Sequence, residues 1–324
     1  MADVYVLEAK VEIGRVLLSA IHSATILRSV QSLSDTATLQ IPRHIAALET
    51  KESLLDILSI GDEIRIDLGY NEQVFTEFTG YVKNISNQDL VSIECEDEMY
   101  KLRKMSLEPK HYKKVQLSQL VRDIMSGKEV DIDYDFEVQN YRIPSGTSVY
   151  EVLSHLKENF PVDFYFREGI LRSRWNYSLL SSDTKVYHLE RNVAKNDLKY
   201  IVSEKKEQRL RAVSTLKNGK RLQVEWGAKD APLRTLHFAY IESESELLTI
   251  AKAEYQKRKF AGYKGTITGF GFPLTECGQA LEIQSEEYPD KQGKYFIDKL
   301  TIRFSKNGYR RENEISKKIL DNSS

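Results

Sequence analysis

The sequence predicts a mainly β protein that carries a helix-containing α/β insert in its middle third. Short segments of alternating apolar and polar residues, separated by turn-forming residues, fill the N-terminal third and return after residue 186. Between them lie two stretches whose apolar residues recur with helical spacing. A glycine that leads into a short alternating strand occurs twice, in "LSIGDEIRIDLGY" near residue 60 and in "LTECGQALEI" at 274–283. This echo raises the question of an internal duplication.

The first β region consists of short strands and one helical stretch. We expect strands in "DVYVLEAKVEI", "ATILRSV" and "TATLQIP", the last ending at Pro42 because proline cannot donate a ladder hydrogen bond. The stretch "IAALETKESLLDIL" (45–58) predicts a helix or two short turns. Three strands follow in "DEIRIDLGY", "TEFTGYVKNI" and "LVSIECED", separated by the turn-rich "NEQ" and "SNQD". One or two helical turns in "DEMYKLRKM" close this small antiparallel unit.

Two amphipathic helices characterise the middle third. The first, in "VQLSQLVRDIMSG", ends at Gly127 as its C-cap. Its apolar face is formed by Leu117, Leu120, Val121, Ile124 and Met125. The second, in "SVYEVLSHLKENF", begins with Ser148 and Glu151 spaced as a capping box. Between them "VDIDYDFEV" predicts one strand, and "VDFYFREGILRSRW" predicts a hairpin that turns at Glu168-Gly169.

The β pattern returns with one helical interruption. Strands are expected in "KVYHLERNV", "LKYIVS", "RLRAVSTLKNGKRLQVEW", "LRTLHFAYI", "GTITGF", "ALEIQS" and "GKYFIDKLTIRFS", with a hairpin signal at Asn218-Gly219. A long helix over 243–262 interrupts them. Ser243 and Glu246 form its capping box, and basic residues at 257–259 favour its negative C-terminal end. From about residue 312 a polar, flexible tail is expected.

Composition excludes several classes of protein. The 47 basic and 48 acidic side chains give a formal charge of −1, so no global basic field points to nucleic acid or to an anionic membrane. Cys95 and Cys277 are too few for a disulfide framework or a zinc site, and two buried thiols are the simpler interpretation. The N-terminus has no signal-peptide pattern, and no apolar run approaches the roughly 20 residues of a membrane helix. We therefore expect synthesis in the cytoplasm.

Signatures of catalysis or of metal binding are weak. The six histidines, His22, His44, His111, His155, His188 and His237, show no metal-pair spacing, and "GFGFP" (269–273) is typical of a turn or bulge rather than a phosphate loop. "DIDYDF" (131–136) mimics the start of a calcium loop, but Phe136 and Arg142 occupy the positions of the required Gly and Glu. Carboxylates in "ECEDE" (94–98) and "SEEYPD" (285–290) are interpreted as surface charge. The mixed run "EKKEQRLR" (204–211) is interpreted as a solvated strand edge, whose charges block unwanted pairing, rather than as a nucleic-acid patch. No catalytic, cofactor-binding or metal-binding residue is nominated.

A series of short motifs gives a family resemblance. In the first region they are Leu33-Ser34-Asp35-Thr36-Ala37, "LQIP", Gly61-Asp62, Leu68-Gly69-Tyr70, Phe78, Gly80-Tyr81-Val82, and Glu96-Asp97 within "IECEDEMYKL". In the last third they are Gly262-Tyr263, Gly265-Thr266, Gly271, Pro273, Gly278, "GKYFID" and "FSKNGYRR". In this order, over nearly the whole chain, they resemble the baseplate hub proteins of contractile phage tails. That group includes the late control protein D family, the Mu-type tail hub and the N-terminal part of VgrG.

The resemblance implies two similar small antiparallel β-barrels per protomer and a homotrimer, whose six barrels form a pseudo-sixfold ring. It implies a first barrel domain over 1–105, completed by about 180–205, an α/β insert over 106–179, a second barrel domain over 206–312, and a flexible tail at 313–324. In this interpretation Gly278 corresponds to Gly61, and Leu281 and Ile283 correspond to Ile64 and Ile66. On spacing alone, the duplication and a chance echo between strands remain equally open.

The function implied is that of a structural hub, not an enzyme. It would join the sixfold tail tube to the threefold spike in the baseplate of a virion or of a phage-derived contractile injection machine, after synthesis in the bacterial host cytoplasm. The chain ends soon after "GYRR" and lacks a needle-like repeat, so the partners implied are the tube protein, a separate spike protein and other baseplate subunits. No cofactor, nucleic acid or stable membrane insertion is expected. The alternatives are a polysaccharide- or protein-binding β module of another secretion system, and a cell-wall hydrolase that uses carboxylates.

Overall fold

A computed structural model describes residues 5–42, 57–87, 89–175, 179–180, 183–201, 209–216, 219–258 and 262–319. Within these ranges the protein is mainly β, with helices confined to short segments. The first strands are β1 (Leu7–Ile13), β2 (Val16–Leu18), β3 (Ser23–Ser29), β4 (Thr36–Pro42), β5 (Glu63–Tyr70), β6 (Gln73–Asn87) and β7 (Leu90–Glu96). The helix expected over 45–58 lies almost wholly outside the described residues.

The middle of the chain alternates helices and strands. Its elements are α1 (Met99–Lys104), β8 (Lys110–Gln116), α2 (Leu117–Met125), β9 (Val130–Ile132), β10 (Glu137–Ile143), α3 (Val149–Asn159), β11 (Val162–Arg167) and β12 (Ile170–Trp175). The C-terminal part contains β13 (Thr184–His188), β14 (Val193–Asn196), β15 (Lys199–Ile201), β16 (Arg209–Thr215), β17 (Arg221–Gly227), β18 (Leu233–Phe238), α4 (Glu244–Arg258), β19 (Gly262–Phe270), β20 (Ala280–Gln284), a 3₁₀ turn (Pro289–Lys291), β21 (Gly293–Ser305) and β22 (Gly308–Ile319). Among the described residues, no helix is both long enough and apolar enough to cross a bilayer.

The chain forms two compact units. Unit 1 comprises Met1–Tyr100, Leu180–Leu198 and Gly265–Ser324, and unit 2 comprises Lys101–Leu179 and Lys199–Lys264. The insert expected over 106–179 lies in unit 2. The segment expected to form a second domain (206–312) is divided, because β16–β18 and α4 belong to unit 2 whereas β20–β22 belong to unit 1.

Unit 1 is dominated by one large sheet with the strand order β14-β19-β22-β21-β3-β4-β7-β6-β5-β1-β2, to which β13 and β20 attach. The short strand β15 belongs to unit 2 and pairs with residues 262–264 of β19, which lie in the same unit. Its core consists of the inward-facing aliphatic residues of these strands, among them Ile26, Leu39, Ile66, Ile302 and Ile315, all fully buried. The strands after the insert were expected to complete the first β region, but β13 pairs with β20 and β14 pairs with β19. Both edges of β3 are already occupied, by β4 and β21, and both edges of β7 are occupied, by β4 and β6.

The local capping signals place the helices of unit 2. The five apolar residues predicted for α2 are all buried, and the helix ends through a left-handed Ser126 and a Gly127 at φ +85°. The box of α3 is complete, because the Glu151 backbone N–H donates to Ser148 Oγ while the Ser148 backbone N–H donates to the Glu151 carboxylate. The box of α4 is half formed: Glu246 accepts a bond from the Glu137 backbone instead of returning to its own cap.

Two expectations about strands differ from the structure. The single strand expected over 130–138 is broken into β9 and β10. Asp133 and Asp135 lie between them and accept backbone hydrogen bonds from Trp175 and Ser118, which replace ladder bonds there. The flexible tail expected from 313 is wrong for residues 313–319, because β22 continues to Ile319 with Asn313 and Ile315 fully buried. Residues 320–324 lie outside the described residues.

The hairpin turns follow their sequence signals. Glu168 and Gly169 both have positive φ and connect β11 to β12, as predicted for a tight two-residue turn. The β16–β17 hairpin also forms around Gly219 at φ +79°, although Asn218 itself lies outside the described residues.

Candidate assembly site

Two groups of strands in unit 1 have the same order and direction. The first repeat, as we name it, has the order β3-β4-β7-β6-β5, and the second repeat has the order β14-β19-β22-β21-β20. Every neighbouring pair within each repeat is antiparallel. Strand β15 pairs with β19 in the same register as β14, since Asn196 lies opposite Ile267 and Lys199 opposite Lys264. The chain therefore contains two repeats with the same antiparallel topology.

The glycine-led strands occupy matching places in the two repeats. Gly61 has φ +97° and Gly278 has φ +84°, a region that favours glycine. The Gly61 N–H donates to the Val82 carbonyl at 2.8 Å, and the Gly278 N–H donates to the Ile297 carbonyl at 2.9 Å. In return, the N–H groups of Val82 and Ile297 donate to the carbonyl of the residue after each glycine. The correspondence inferred from sequence between Gly61 and Gly278 thus extends to their hydrogen bonds.

A bulge follows at the same point of both ladders. Val82 lies opposite Cys95 on β7, and Ile297 lies opposite Ile315 on β22, and immediately after each pair the register shifts by one residue. All four side chains are buried. The repeats differ in their outer neighbour, because β5 pairs with β1 antiparallel while β20 pairs with β13 in parallel.

The two repeats are joined head to tail by strands β21 and β3. They pair antiparallel over seven residues, from Lys299 opposite Ser29 to Ser305 opposite Ser23. The β21 residues along this seam are mostly buried, with Leu300 and Ile302 fully so. The junction therefore connects β21, the strand next to last in the second repeat, to β3, the terminal strand of the first repeat.

A buried ionic group, here called the junction cluster, lies beside this seam. Its members are Arg28, Glu77, Glu276, Tyr309 and Arg311. Arg311 and Glu77 form an ion pair in which each side chain is 2% exposed. Tyr309 donates its hydroxyl to the same carboxylate, and Arg28 bridges Glu77 to Glu276. The cluster ties β3 and β6 of the first repeat to β22 of the second.

Burial sets the protonation of this cluster. Burial raises the pKa of the Tyr309 hydroxyl, and the charge on Glu77 raises it further. Burial by itself lowers the pKa of the Arg311 guanidinium, but the Glu77 carboxylate and other neighbours more than offset this, so the pKa lies above its ordinary value. Tyr309 remains a neutral donor and Arg311 remains charged at neutral pH.

The "GFGFP" stretch has a structural role at the junction. The Arg311 guanidinium donates to the carbonyls of Gly271 at 2.9 Å and Thr275 at 2.8 Å, which holds the loop after β19. A Cβ on Gly271 would lie 2.1 Å from the Tyr309 ring, and one on Gly269 would lie 2.5 Å from Tyr187. Glycine is required because these aromatic rings lie directly against the backbone. Sequence reasoning placed a turn here but missed Glu77 and Arg311, because single charged residues in strands carry no signal of burial.

The aspartates of the calcium-like stretch serve as structural acceptors. Asp131 forms ion pairs with Arg172 and Arg174. The hydrogen bond from Arg174 is the main cause that lowers the pKa of the Asp131 carboxyl. Asp133 accepts from a strand backbone and Asp135 caps α2, as described above. Phe136 is buried, where a calcium loop needs glycine. Within the described residues, no group of three potential ligands is arranged for a metal ion.

The carboxylate clusters are also engaged in local structure. Asp97 accepts from the backbone N–H groups of Asp35 and Met99, and Glu96 is buried beside Lys83. Their interpretation as surface charge is therefore wrong for these two residues, because both serve as acceptors at the end of β7. In the second cluster, Ser285 donates to Glu190, which also lies 2.8 Å from His188 and has its pKa lowered chiefly by Ser285. Both sites hold turns in place.

Histidines and cysteines are dispersed. His22, His111 and His237 are exposed, His188 contacts Glu190, and His44 lies outside the described residues. Cys95 and Cys277 are free and buried.

One groove lies in unit 2 beside α3. It has a volume of about 500 Å³ and is lined by Tyr141, His155, Tyr240 and the turn at 144–147. The Tyr141 hydroxyl lies 3.1 Å from His155 Nδ1, and burial raises the pKa of Tyr141. These polar groups pair with each other, so the arrangement offers no group poised for acid or base chemistry.

The chain has the fold of known tail proteins. A tail protein from Neisseria meningitidis shares 14% identity, with 96% of each chain covered and a TM-score of 0.70. A 43 kDa tail protein of prophage MuSo2 from Shewanella oneidensis shares 14% identity over 96% of this chain and 98% of that one, with a TM-score of 0.68. A component of the Escherichia coli type VI secretion system matches at 12% identity over 96% and 77%, with a TM-score of 0.61. No family model matches the sequence, and no curated protein does. At these identities the likeness concerns the fold.

Proposed function

We propose that this protein is the structural hub of a contractile tail or of a related injection machine, and that it acts as a homotrimer. In this role it joins a sixfold tube to a threefold spike carried by a separate protein, and it contacts other baseplate subunits. It acts by assembly rather than by catalysis. The chain would be made in the bacterial host cytoplasm and then incorporated into a virion or phage-like particle.

The observation that carries this proposal is the head-to-tail junction of two like repeats within one chain. In a head-to-tail interface, one surface of the first unit binds a different surface of the second, so each end of the pair still presents one of these two surfaces. Further copies can therefore add in the same orientation until the ring closes. Three chains with two repeats each supply six similar surfaces while retaining threefold symmetry. A tube that is sixfold and a spike that is threefold require a part with both properties.

The likeness of the fold to tail proteins and to a type VI secretion component supports the same role. The alternatives receive less support from the site. A hydrolase needs a carboxylate free to act, whereas Glu96 and Asp97 of the cluster at 94–98 are held in an ion pair and in backbone hydrogen bonds. In the groove beside Tyr141, which a polysaccharide module could use, the Tyr141 hydroxyl and the His155 ring pair with each other.

Mass in solution tests the proposal. Light scattering coupled to size-exclusion chromatography should give three times the protomer mass of 37.4 kDa at micromolar concentration. Negative-stain images should show a ring of six lobes, and the purified tube protein should bind one face of it. A protein that stays monomeric with and without its tube protein contradicts the hub role. Turnover of peptidoglycan, lost when a single carboxylate is replaced, would support the hydrolase instead.

A further inference from the structure

The second and first repeats meet within the chain, but the corresponding edge of the first repeat pairs with no strand among the described residues. Strand β6 pairs with β5 only as far as Tyr81, and Val82 still bonds to Gly61. Beyond Val82, no described strand pairs with this edge of β6. Its counterpart in the second repeat is the part of β21 that pairs with β3. One edge is therefore paired within the chain, whereas its equivalent has no strand partner in the described part of the chain.

The difference in burial matches this difference in pairing. From the shared bulge, Ile85 corresponds to Leu300 and Ser86 corresponds to Thr301. Leu300 and Thr301 are buried at the junction, whereas Ile85 is half-buried and Ser86 is exposed. Ile85 is thus an aliphatic residue at a position where no described strand pairs with this edge of β6.

The matching partner surface is also open. In the first repeat, β3 lies between β4 and β21, but in the second repeat β14 and β15 pair only with β19 among the described strands. Gly265 in the second repeat occupies the place that Ala37 has in the first repeat, and Ala37 pairs with Ile26 of β3. When the register of β14 and β15 against β19 is counted from Gly265, residues 195–201 correspond to β3. Tyr200 is 59% exposed and Ile201 is 42% exposed. Tyr200 and Ile201 are therefore two large exposed side chains on an edge that no other described strand pairs with.

We propose that the open edge of β6 in one protomer pairs antiparallel with residues 195–201 of a second copy of this chain. The register copies the internal junction, so that Ser86 lies opposite Lys199 of the second copy and Ile85 lies opposite its Tyr200. Exposed edges bind additional strands through backbone hydrogen bonds, and the paired side chains fix the register. This inference rests on the trimer proposed above and names the surfaces that close it.

Cysteine pairs test the register, because directly opposed residues of antiparallel strands lie within disulfide distance. The variant Ser86→Cys with Lys199→Cys should form covalent dimers and closed trimers on mild oxidation. The variant Ser86→Cys with Lys195→Cys is the matched control, since four residues of offset put the thiols about 13 Å apart. As a positive control, Leu27→Cys with Thr301→Cys should close within one chain, because these residues are opposed at the internal junction. The native thiols are buried.

The outcomes separate this inference from the hub role. A trimer by mass that gives no bond between positions 86 and 199, or equal bonding in the offset control, overturns the proposed register and leaves the hub role standing. A protein that is monomeric and gives no bond overturns both.

An assembly variant gives a second measurement. Tyr200→Asp should reduce the trimer fraction at least tenfold at equal protein concentration while the circular dichroism of the protomer is unchanged. Leu17→Asp, which changes an exposed apolar residue on β2, should leave the trimer intact. Equal effects of the two substitutions would contradict the proposed edge.

Discussion

Replacing Arg311 with methionine should destabilise the protein far more than removing an exposed arginine from the same strands. Arg311 is 2% exposed, pairs with Glu77 and donates to the carbonyls of Gly271 and Thr275. Methionine fills much of the volume but leaves the Glu77 carboxylate buried without its main cation. Removal of one partner from a buried ion pair costs about 3–5 kcal/mol. For a unit of this size, that loss lowers the melting temperature by roughly 6–20 °C.

The assay is urea denaturation followed by far-ultraviolet circular dichroism, with Arg303→Met as the matched control. Arg303 lies on β21, pairs with Glu312 on β22 and is 55% exposed, so its removal should cost less than about 1 kcal/mol. If the penalty comes from the uncompensated charge, adding Glu77→Gln to Arg311→Met should restore about 1–3 kcal/mol. The reasoning is refuted if Arg311→Met behaves like Arg303→Met, or if the double variant is no more stable than the single one.

Two further predictions concern titration and reactivity. Burial raises the pKa of the Cys95 thiol to about 12, and the Cys277 side chain is fully buried. At pH 8 a thiol reagent should therefore label neither cysteine until the protein is unfolded. Rapid native labelling would contradict their burial. The pKa of Asp131 is lowered by Arg174, so its contribution to stability is present above the ordinary value and lost as pH falls through the folded pKa. Asp131→Asn should therefore be destabilising at pH 7, by an amount that shrinks as the pH falls below the ordinary carboxyl pKa, measured by tryptophan fluorescence during urea unfolding; a difference independent of pH would contradict this.

Local signals were sufficient for the helices and tight turns. Gly127, the Ser148 box and the Glu168-Gly169 turn act within a few residues of chain, so the sequence alone specifies them. The α4 box formed only in part because Glu246 found a distant partner in the backbone of Glu137. Short-range signals cannot reveal such competition.

Strand partners and buried charges were not accessible in the same way. The alternation of β22 continues past residue 312 with polar residues, which indicated a flexible tail, yet Arg311 and Asn313 are buried. Their burial depends on Glu77, Thr275 and Tyr187, which come from distant parts of the chain. The echo between Gly61 and Gly278 was visible in the sequence, but only the shared bulge and hydrogen bonds distinguish a repeat from chance.

The two kinds of junction in the proposed ring differ in chemistry, and the difference follows from when each forms. At the internal junction, position 28 is an arginine held between Glu77 and Glu276. Its counterpart in the second repeat is Tyr200, which is exposed in the protomer. A buried ion pair within a chain is desolvated once, during folding, and its partners are held in place by the same fold. A charge at position 200 would be hydrated in the free protomer and would have to lose that hydration at every association. An aromatic side chain gains free energy when the same surface is buried. In the proposed ring, tyrosine at position 200 therefore favours association between chains, whereas arginine at position 28 favours a fixed junction within one chain.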